Sequence, residues 1–257
     1  MKDDLSLALE LADLADAISL PRFRASDLVV ETKADLTPVT EADRAVEQAI
    51  RARLAKERPG DAVVGEEMGS DGATDDRPRW IVDPIDGTKN YVRGIPIFAT
   101  LIAVEREGGL TAGVASAPAI RRRWWASRGR GAFADGRPIR VSNVIRPEDG
   151  LLLIGGLTTW RRNGRLDDLL SLASRFGRTR GYGDFWMHML VAEGAADVAT
   201  ELEVRLWDLA AVQVIVEEAG GRFSDLAGKA RPDGGSALSS NGSLHEEALA
   251  LLRGGDE

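Results

Sequence analysis

Cysteine is absent from this 257-residue chain, which excludes disulfides, thiolate zinc sites and a cysteine nucleophile. Histidine occurs only twice, as His188 and His245, too sparsely for a multi-histidine metal centre. No apolar run approaches the roughly 18 residues that a membrane span requires. The opening Met1-Lys2-Asp3-Asp4, soon followed by Glu10, Asp13 and Asp16, lacks the apolar stretch of a signal peptide, so the cytoplasm is the expected compartment. Basic excess is missing as well: a net charge of −8 argues against a nucleic-acid surface and is compatible with metal ions or a small cationic ligand. The remaining composition, 44% hydrophobic and 29% charged, is that of a globular chain long enough for one large domain or two compact halves.

The richest stretch is Trp80-Ile81-Val82-Asp83-Pro84-Ile85-Asp86-Gly87-Thr88. A strand-like run delivers two carboxylates, a glycine turn and a hydroxyl. Pro84 between them fixes its own φ and donates no hydrogen bond, so the bent chain can aim Asp83, Asp86 and the Ile85 carbonyl at one point. Hard divalent cations such as Mg²⁺ take that oxygen set. Gly87 and Thr88 follow at a helix or turn start, where backbone N–H groups bind phosphate well. Asp-Gly is also an ordinary turn signal, so the motif gains its weight from the rest of the chain.

Periodicity predicts a helix from Leu5 to about Pro21, and a second after the capping box Thr40-Glu41-Ala42-Asp43. Short strands are expected at 62–64 and 80–82, with a polar surface loop at 70–79 between them. Glycine-separated β runs follow at 98–104, 113–117, 123–126 and 139–141. A boundary at 145–150 divides an α+β half, 1–147, from an α/β half, 148–257. In the second half strands are expected at 151–154, 197–200 and 221–223, with helices near 166–176, over 184–193, after Asp208 and over 244–252.

Glu66 ends one short strand as Asp83 ends the next, which would place both carboxylates on one rim of a sheet. Asp208, after Trp207, reads equally as a dipole-favoured residue in a helix's first turn, and Asp43 as the acidic arm of its capping box. Glu67 and Glu203 read as solvated charges.

Gly65-Glu66-Glu67, Asp83-Pro84-Ile85-Asp86-Gly87-Thr88 and Trp207-Asp208 stand in the order and approximate spacing of the inositol monophosphatase superfamily, which the chain resembles from its 35–43 segment to Asn241-Gly242. The resemblance implies a layered αβαβα sandwich of the inositol monophosphatase and fructose-bisphosphatase type, a Mg²⁺-dependent phosphomonoesterase and a homodimer. It also implies roles by position. Glu66, Asp83 and the Ile85 carbonyl would hold one ion; Asp83, Asp86 and Asp208 would hold a second; Mn²⁺ would substitute. Asp43, with Glu66 and Thr88, would orient or deprotonate the attacking water, with help from a third, weaker ion. Glu66, Asp86, Gly87, Thr88 and Asp208 would meet the phosphate, and Glu201 the rest of the substrate. Two bound cations would relieve the mutual repulsion of these carboxylates and attract a phosphate.

Within the superfamily, an extra Thr37-Pro38 pair, Lys89, Arg122-Arg123-Trp124-Trp125-Ala126 and Arg180-Gly181-Tyr182-Gly183-Asp184-Phe185 are similar to the actinobacterial histidinol-phosphate phosphatases. That substrate carries an ammonium and an imidazole, which Asp184 and Glu201 could pair with. Asp184 also suits a cap for the helix that follows it, and the Trp124-Trp125 pair suits a core or an interface. Hydrolysis of histidinol phosphate is therefore the expectation. Inositol-1-phosphate is the first alternative; a sugar bisphosphate or nucleotide 3′-phosphate, or a catalytically idle regulator, ranks lower.

Overall fold

The computed structural model describes residues 3–34, 36–71 and 77–253. Met1, Lys2, Asp35 and the middle of the 70–79 segment lie outside the described residues. Helix α1 (Asp4–Arg22) starts under Asp3, whose carboxylate accepts from Ser6 N–H at 2.9 Å. A hairpin of β1 (Val30–Thr32) and β2 (Pro38–Thr40) leads into α2 (Glu41–Glu57). Helix α2 opens with the expected capping box: Thr40 N–H donates to Asp43 Oδ2 at 2.8 Å and Asp43 N–H to Thr40 Oγ1 at 3.3 Å.

Next come β3 (Ala62–Gly65), β4 (Gly69–Asp71), β5 (Arg79–Asp86), the short helix α3 (Thr88–Val92), β6 (Ala99–Arg106), β7 (Gly109–Ala117), β8 (Arg122–Ser127), β9 (Ala132–Ala134) and β10 (Arg137–Ile139). These strands form one eight-stranded sheet in the order β10-β9-β8-β7-β6-β5-β3-β4, antiparallel except where β3 runs parallel to β5. The second half runs β11 (Leu151–Ile154), α4 (Leu157–Arg162), α5 (Leu166–Arg175), β12 (Arg178–Gly181), α6 (Asp184–Ala192), β13 (Val198–Leu202), α7 (Leu206–Glu218), β14 (Arg222–Ser224), β15 (Ser236–Ser240) and α8 (His245–Leu252). Its five strands order as β12-β11-β13-β15-β14.

Strand alternation sorts the core into layers. Trp80, Val82, Ile102 and Val104 face α1 and α2, packing on Leu7, Leu11, Val46 and Ile50. Ile81, Leu101, Ala103 and Ala115, one residue out of phase, face α6 and α7. In the second sheet Leu153 and Ala199 meet Met187 and Val191 of α6, whereas Leu152 and Val198 meet α5 and α8 through Leu169, Leu172 and Leu249. The stacking is therefore αβαβα, as the motifs imply. Helices α6 and α7 lie between two sheets, which is why Leu209 to Val216 is buried all round, without a polar stripe.

The hairpin β1–β2 and the elements β9, α4, β12 and β15 have no counterpart in the sequence reading, and the loop expected at 70–79 begins instead as β4, Gly69–Asp71, paired with β3. Most are three to six residues long, too short for a periodicity to show, and Arg178–Gly181 is an edge strand with exposed side chains. The run expected at 139–141 pairs instead over Arg137–Ile139. Trp124 belongs to the core, fully buried against Phe185.

One difference places the carboxylates. The strand predicted at 80–82 continues to Asp86, and its register against β6 slips between Asp83, opposite Leu101, and Asp86, opposite Ala99. Three steps on β5 thus span two on β6, a bulge at Pro84-Ile85. Residues three apart on a regular strand point to opposite faces; the extra residue returns Asp86 to the side of Asp83. Pro84 is tolerated because a bulge needs no ladder donor there, and its carbonyl accepts from Thr100 Oγ1 at 2.8 Å.

Candidate active site

Among the described residues, Asp83, Asp86 and Asp208 each place a carboxylate oxygen within 4.8 Å of the others. Asp83 and Asp86 come from the bulged end of β5, and Asp208 from the first turn of α7. Local hydrogen bonds fix each one. Asp83 Oδ1 accepts from Ile85 N–H at 3.0 Å. Asp208 Oδ2 accepts from Arg205 N–H at 2.7 Å. Asp86 Oδ2 accepts from Phe185 N–H at 2.7 Å, so this carboxylate caps α6 from the other half of the chain.

Burial pushes the carboxyls of Asp83 and Asp86 well above the usual range. The charges of Glu66, Asp86 and Asp208 add to it at Asp83, and those of Asp184 and Asp208 at Asp86. Asp208 is raised to about 7 by burial first, the Glu66 and Glu201 charges adding and the Arg205 N–H opposing. Three converging carboxylate oxygens that repel one another, two of them from buried residues, are a donor set that a hard divalent cation fits, because the ion supplies the missing counter-charge.

Thr88, at the start of α3 behind a left-handed Gly87 (φ 81°), donates to the Ile85 carbonyl at 3.0 Å and lies 3.4 Å from Asp43 Oδ1. Asp43 is therefore both the capping-box arm and a wall of the cleft. Burial lifts its carboxyl to about 6, against two hydrogen bonds from Thr40. The Ile85 side chain is buried among Ala42, Tyr91 and Phe98, which anchors the bulge.

Glu66 stands at the rim. Its Oε1 is 2.8 Å from the Lys33 ammonium, which also reaches Glu67 Oε1 at 2.6 Å. Burial lowers the Lys33 pKa, and these two carboxylates outweigh it and raise it. Glu67 is not the solvated charge expected from sequence: burial lifts it to about 7 against the pull of Lys33, with the charges of Glu66 and Asp43 adding. Glu203 does sit at the surface, paired with Arg162.

Beneath this turn the fully buried Glu47 accepts from Glu67 N–H at 2.8 Å and Met68 N–H at 3.1 Å, and pairs with Arg51 at 2.8 Å. A Cβ on Gly65 would come within 2.1 Å of Glu47 Oε1, so only glycine fits there. Sequence reasoning missed Glu47; a glutamate on the inward face of α2, among Val46 and Ile50, was its only signal. Glu47→Ala strands two buried N–H groups and Arg51, and is expected to cost about 3 kcal/mol in urea unfolding.

The remaining expected residues close the far side. Asp184 does not cap α6, the part Asp86 takes. Its φ is 52°, in the left-handed region that Asp tolerates better than most residues. Its Oδ2 accepts from Asn90 Nδ2 at 2.8 Å, and burial first, then the Glu201 charge, raise it to about 7 against Lys89. Glu201 on β13 is largely buried and lies 3.0 Å from His188 Nε2. Lys33, Asn90 and His188 also escaped the sequence reading, because each acts on a carboxylate distant in the chain.

A comparison with protein families matches residues 2–256 to the inositol monophosphatase family. A histidinol-phosphatase of Mycobacterium tuberculosis is 53% identical, covering 98% of this chain and 99% of its own length. One of Streptomyces coelicolor is 51% identical over 97% of each. An inositol-1-monophosphatase of Mesorhizobium japonicum is 37% identical over 85% of this chain and 81% of its own. Among solved structures, the extragenic suppressor protein SuhB of Bartonella henselae superposes with a TM-score of 0.90 at 30% identity, covering 97% of this chain and 98% of its own.

Proposed function

We infer, because the chain belongs to the inositol monophosphatase family and gathers two buried carboxylates and a half-buried third at one point, that it is a metal-dependent phosphomonoesterase whose substrate is histidinol phosphate. The Asp83–Asp86–Asp208 cluster carries the reaction class. Near-full-length relatives that are histidinol-phosphatases, at 53% and 51% identity, support the substrate.

In this reading Glu66, Asp83 and the Ile85 carbonyl would hold one Mg²⁺, and Asp83, Asp86 and Asp208 would hold a second; a third, weaker ion near Asp43 and replacement by Mn²⁺ belong to the same proposal. Divalent ions there supply Lewis acidity to the attacking water and charge compensation to the phosphoryl oxygens. The protein's own groups do the rest. The Thr88 hydroxyl, held by the Ile85 carbonyl, orients the water, and Asp43 accepts its proton. The N–H groups of Gly87 and Thr88 grip the phosphate, fixing it for in-line displacement. Glu66, Asp86 and Asp208 border the same phosphate. Asp184 and Glu201 form the end that receives the substrate's cationic part, where a paired ammonium or imidazolium would relieve their mutual repulsion.

The halves 1–147 and 148–257 are proposed as a topological division: the first holds the eight-stranded sheet and the β1–β2 hairpin, the second the five-stranded sheet, and Asp86 of the first caps α6 of the second. A cytoplasmic setting is proposed from the amino-acid sequence and a homodimer from the family resemblance; light scattering checks the latter.

The deciding experiment compares kcat/KM for histidinol phosphate and inositol-1-phosphate with Mg²⁺ present, in the native protein and in Asp184→Asn. Asparagine tolerates the left-handed backbone and still accepts from Asn90, so only the charge is removed. Native preference for histidinol phosphate is expected, with a loss of about tenfold on that substrate alone in the variant. A native enzyme that prefers the inositol ester would replace the substrate assignment.

A further inference from the structure

Helix α6 reads Asp-Phe-Trp-Met-His-Met-Leu-Val-Ala, and His188 is the one polar residue in its interior. It lies four residues after Asp184, on the same side of the helix. Both of its ring nitrogens are engaged in a fully buried setting: Nδ1 is 2.8 Å from Ser239 Oγ on β15, and Nε2 is 3.0 Å from Glu201 Oε1 on β13. A carboxylate only accepts, so Nε2–H donates to Glu201; in the neutral tautomer that pairs this way, Nδ1 accepts the Ser239 hydroxyl proton. Ser239 itself is held in the sheet between Ala199 and Phe223.

Gly155 lies beside the same carboxylate. A Cβ on Gly155 would stand 3.1 Å from Glu201 Cβ and 3.5 Å from its Oε2, so glycine leaves the carboxylate its room. With Oε1 occupied by His188, Oε2 is the oxygen left for a donor brought into the cleft.

We propose that His188 is a positioning residue for substrate selectivity: the chain Ser239–His188–Glu201 fixes the Glu201 carboxylate, so that the helix bearing Asp184 also steadies this second acidic group through its imidazole. The inference rests on the reading that Asp184 and Glu201 receive the cationic part of an amine-bearing phosphate ester. His188 touches no reacting atom. Its loss therefore weakens binding of the cationic part and leaves phosphoryl chemistry alone.

The test uses the full-length protein loaded with Mg²⁺. His188→Met continues the run of Met187 and Met189 and removes both hydrogen bonds. Its KM for histidinol phosphate is expected to rise about tenfold with kcat within about twofold, and kcat/KM for inositol-1-phosphate is expected to stay within about twofold. Calorimetric affinity for L-histidinol, which involves no turnover, should fall in parallel. Glu201→Gln should raise KM for histidinol phosphate at least as much, and the double variant should be no worse than Glu201→Gln alone, since His188 acts only through that carboxylate. His188→Gln, which can still donate, should recover part of the loss. Should His188→Met not fold, His188→Gln and Ser239→Ala carry the comparison, each with a smaller KM rise confined to histidinol phosphate.

A folded His188→Met with unchanged KM and unchanged L-histidinol affinity overturns the proposal. So does an equal loss of kcat on both esters, or additivity in the double variant. A native enzyme with no preference for histidinol phosphate overturns the substrate reading itself, and the positioning role falls with it. A selective native enzyme whose variant stays equally selective sinks the positioning role alone.

Discussion

Asp83→Asn is expected to lower kcat by about three orders of magnitude or more while raising the melting temperature of the metal-free protein at pH 8 by several degrees. The two effects have one cause. Asp83 is buried beside Glu66, Asp86, Asp208 and Asp43, so its negative charge opposes folding unless a cation is bound. Asparagine keeps the Oδ1 acceptor for Ile85 N–H and leaves the bulge intact, removing only the charge. Repulsion within the cluster falls and so does its attraction for divalent ions. Kinetics with saturating Mg²⁺ and calorimetry in chelator check the two limbs. Activity within tenfold of native would remove Asp83 from the metal site. A lower metal-free melting temperature would show that the carboxylate supports the fold by contacts other than those described.

The second large effect is on pH. In the metal-free protein Asp43 is raised from 3.8 to about 6, Asp184 and Asp208 from 3.8 to about 7, and Glu67 from 4.5 to about 7, burial being the first cause in each case. Between about pH 4 and pH 7 the folded chain therefore binds more protons than the unfolded one. Stability from these groups is complete below pH 4 and is lost as pH rises through 6 to 7.

His245 works the other way. Burial lowers it from 6.5 to about 4, and its Nε2–H donates to Ser224 Oγ at 3.0 Å while Nδ1 accepts from Ser240 Oγ at 2.9 Å. Its contribution is present above pH 6.5 and is lost as pH falls towards 4. Four raised carboxyls outweigh one depressed imidazole. The metal-free melting temperature should fall from pH 5 to pH 8, and Mg²⁺ should raise it more at pH 8 than at pH 5, because the ion binds the deprotonated site. Equal Mg²⁺ shifts at both pH values, or a metal-free melting temperature that climbs across the range, would contradict this account of the cleft.

Much of this was legible in the chain. Long elements with a strong period, α1, α2 and the strands β6, β7 and β8 of the large sheet, lie where the apolar spacing predicts, because each must bury a stripe or a face. The acidic motifs were legible as a set through their resemblance to one family. Charges that look alike in sequence separate only in the fold: Glu203 meets water and Arg162, whereas Glu67 is drawn under Lys33 beside Glu66.

Local order along the chain was sufficient for the capping box at Thr40–Asp43 and the apolar helices, since those depend on neighbours within four or five residues. It could not reveal that Asp86 rather than Asp184 caps α6, that Glu47 braces the Glu66 turn, or that His188 reaches Glu201 and Ser239. Those partners lie 99, 20, 13 and 51 residues apart, and meet only when α2 packs under the turn after Gly65 and the two sheets close on α6. A buried polar group must find its partner wherever packing brings one, and spacing in the sequence carries no record of that distance.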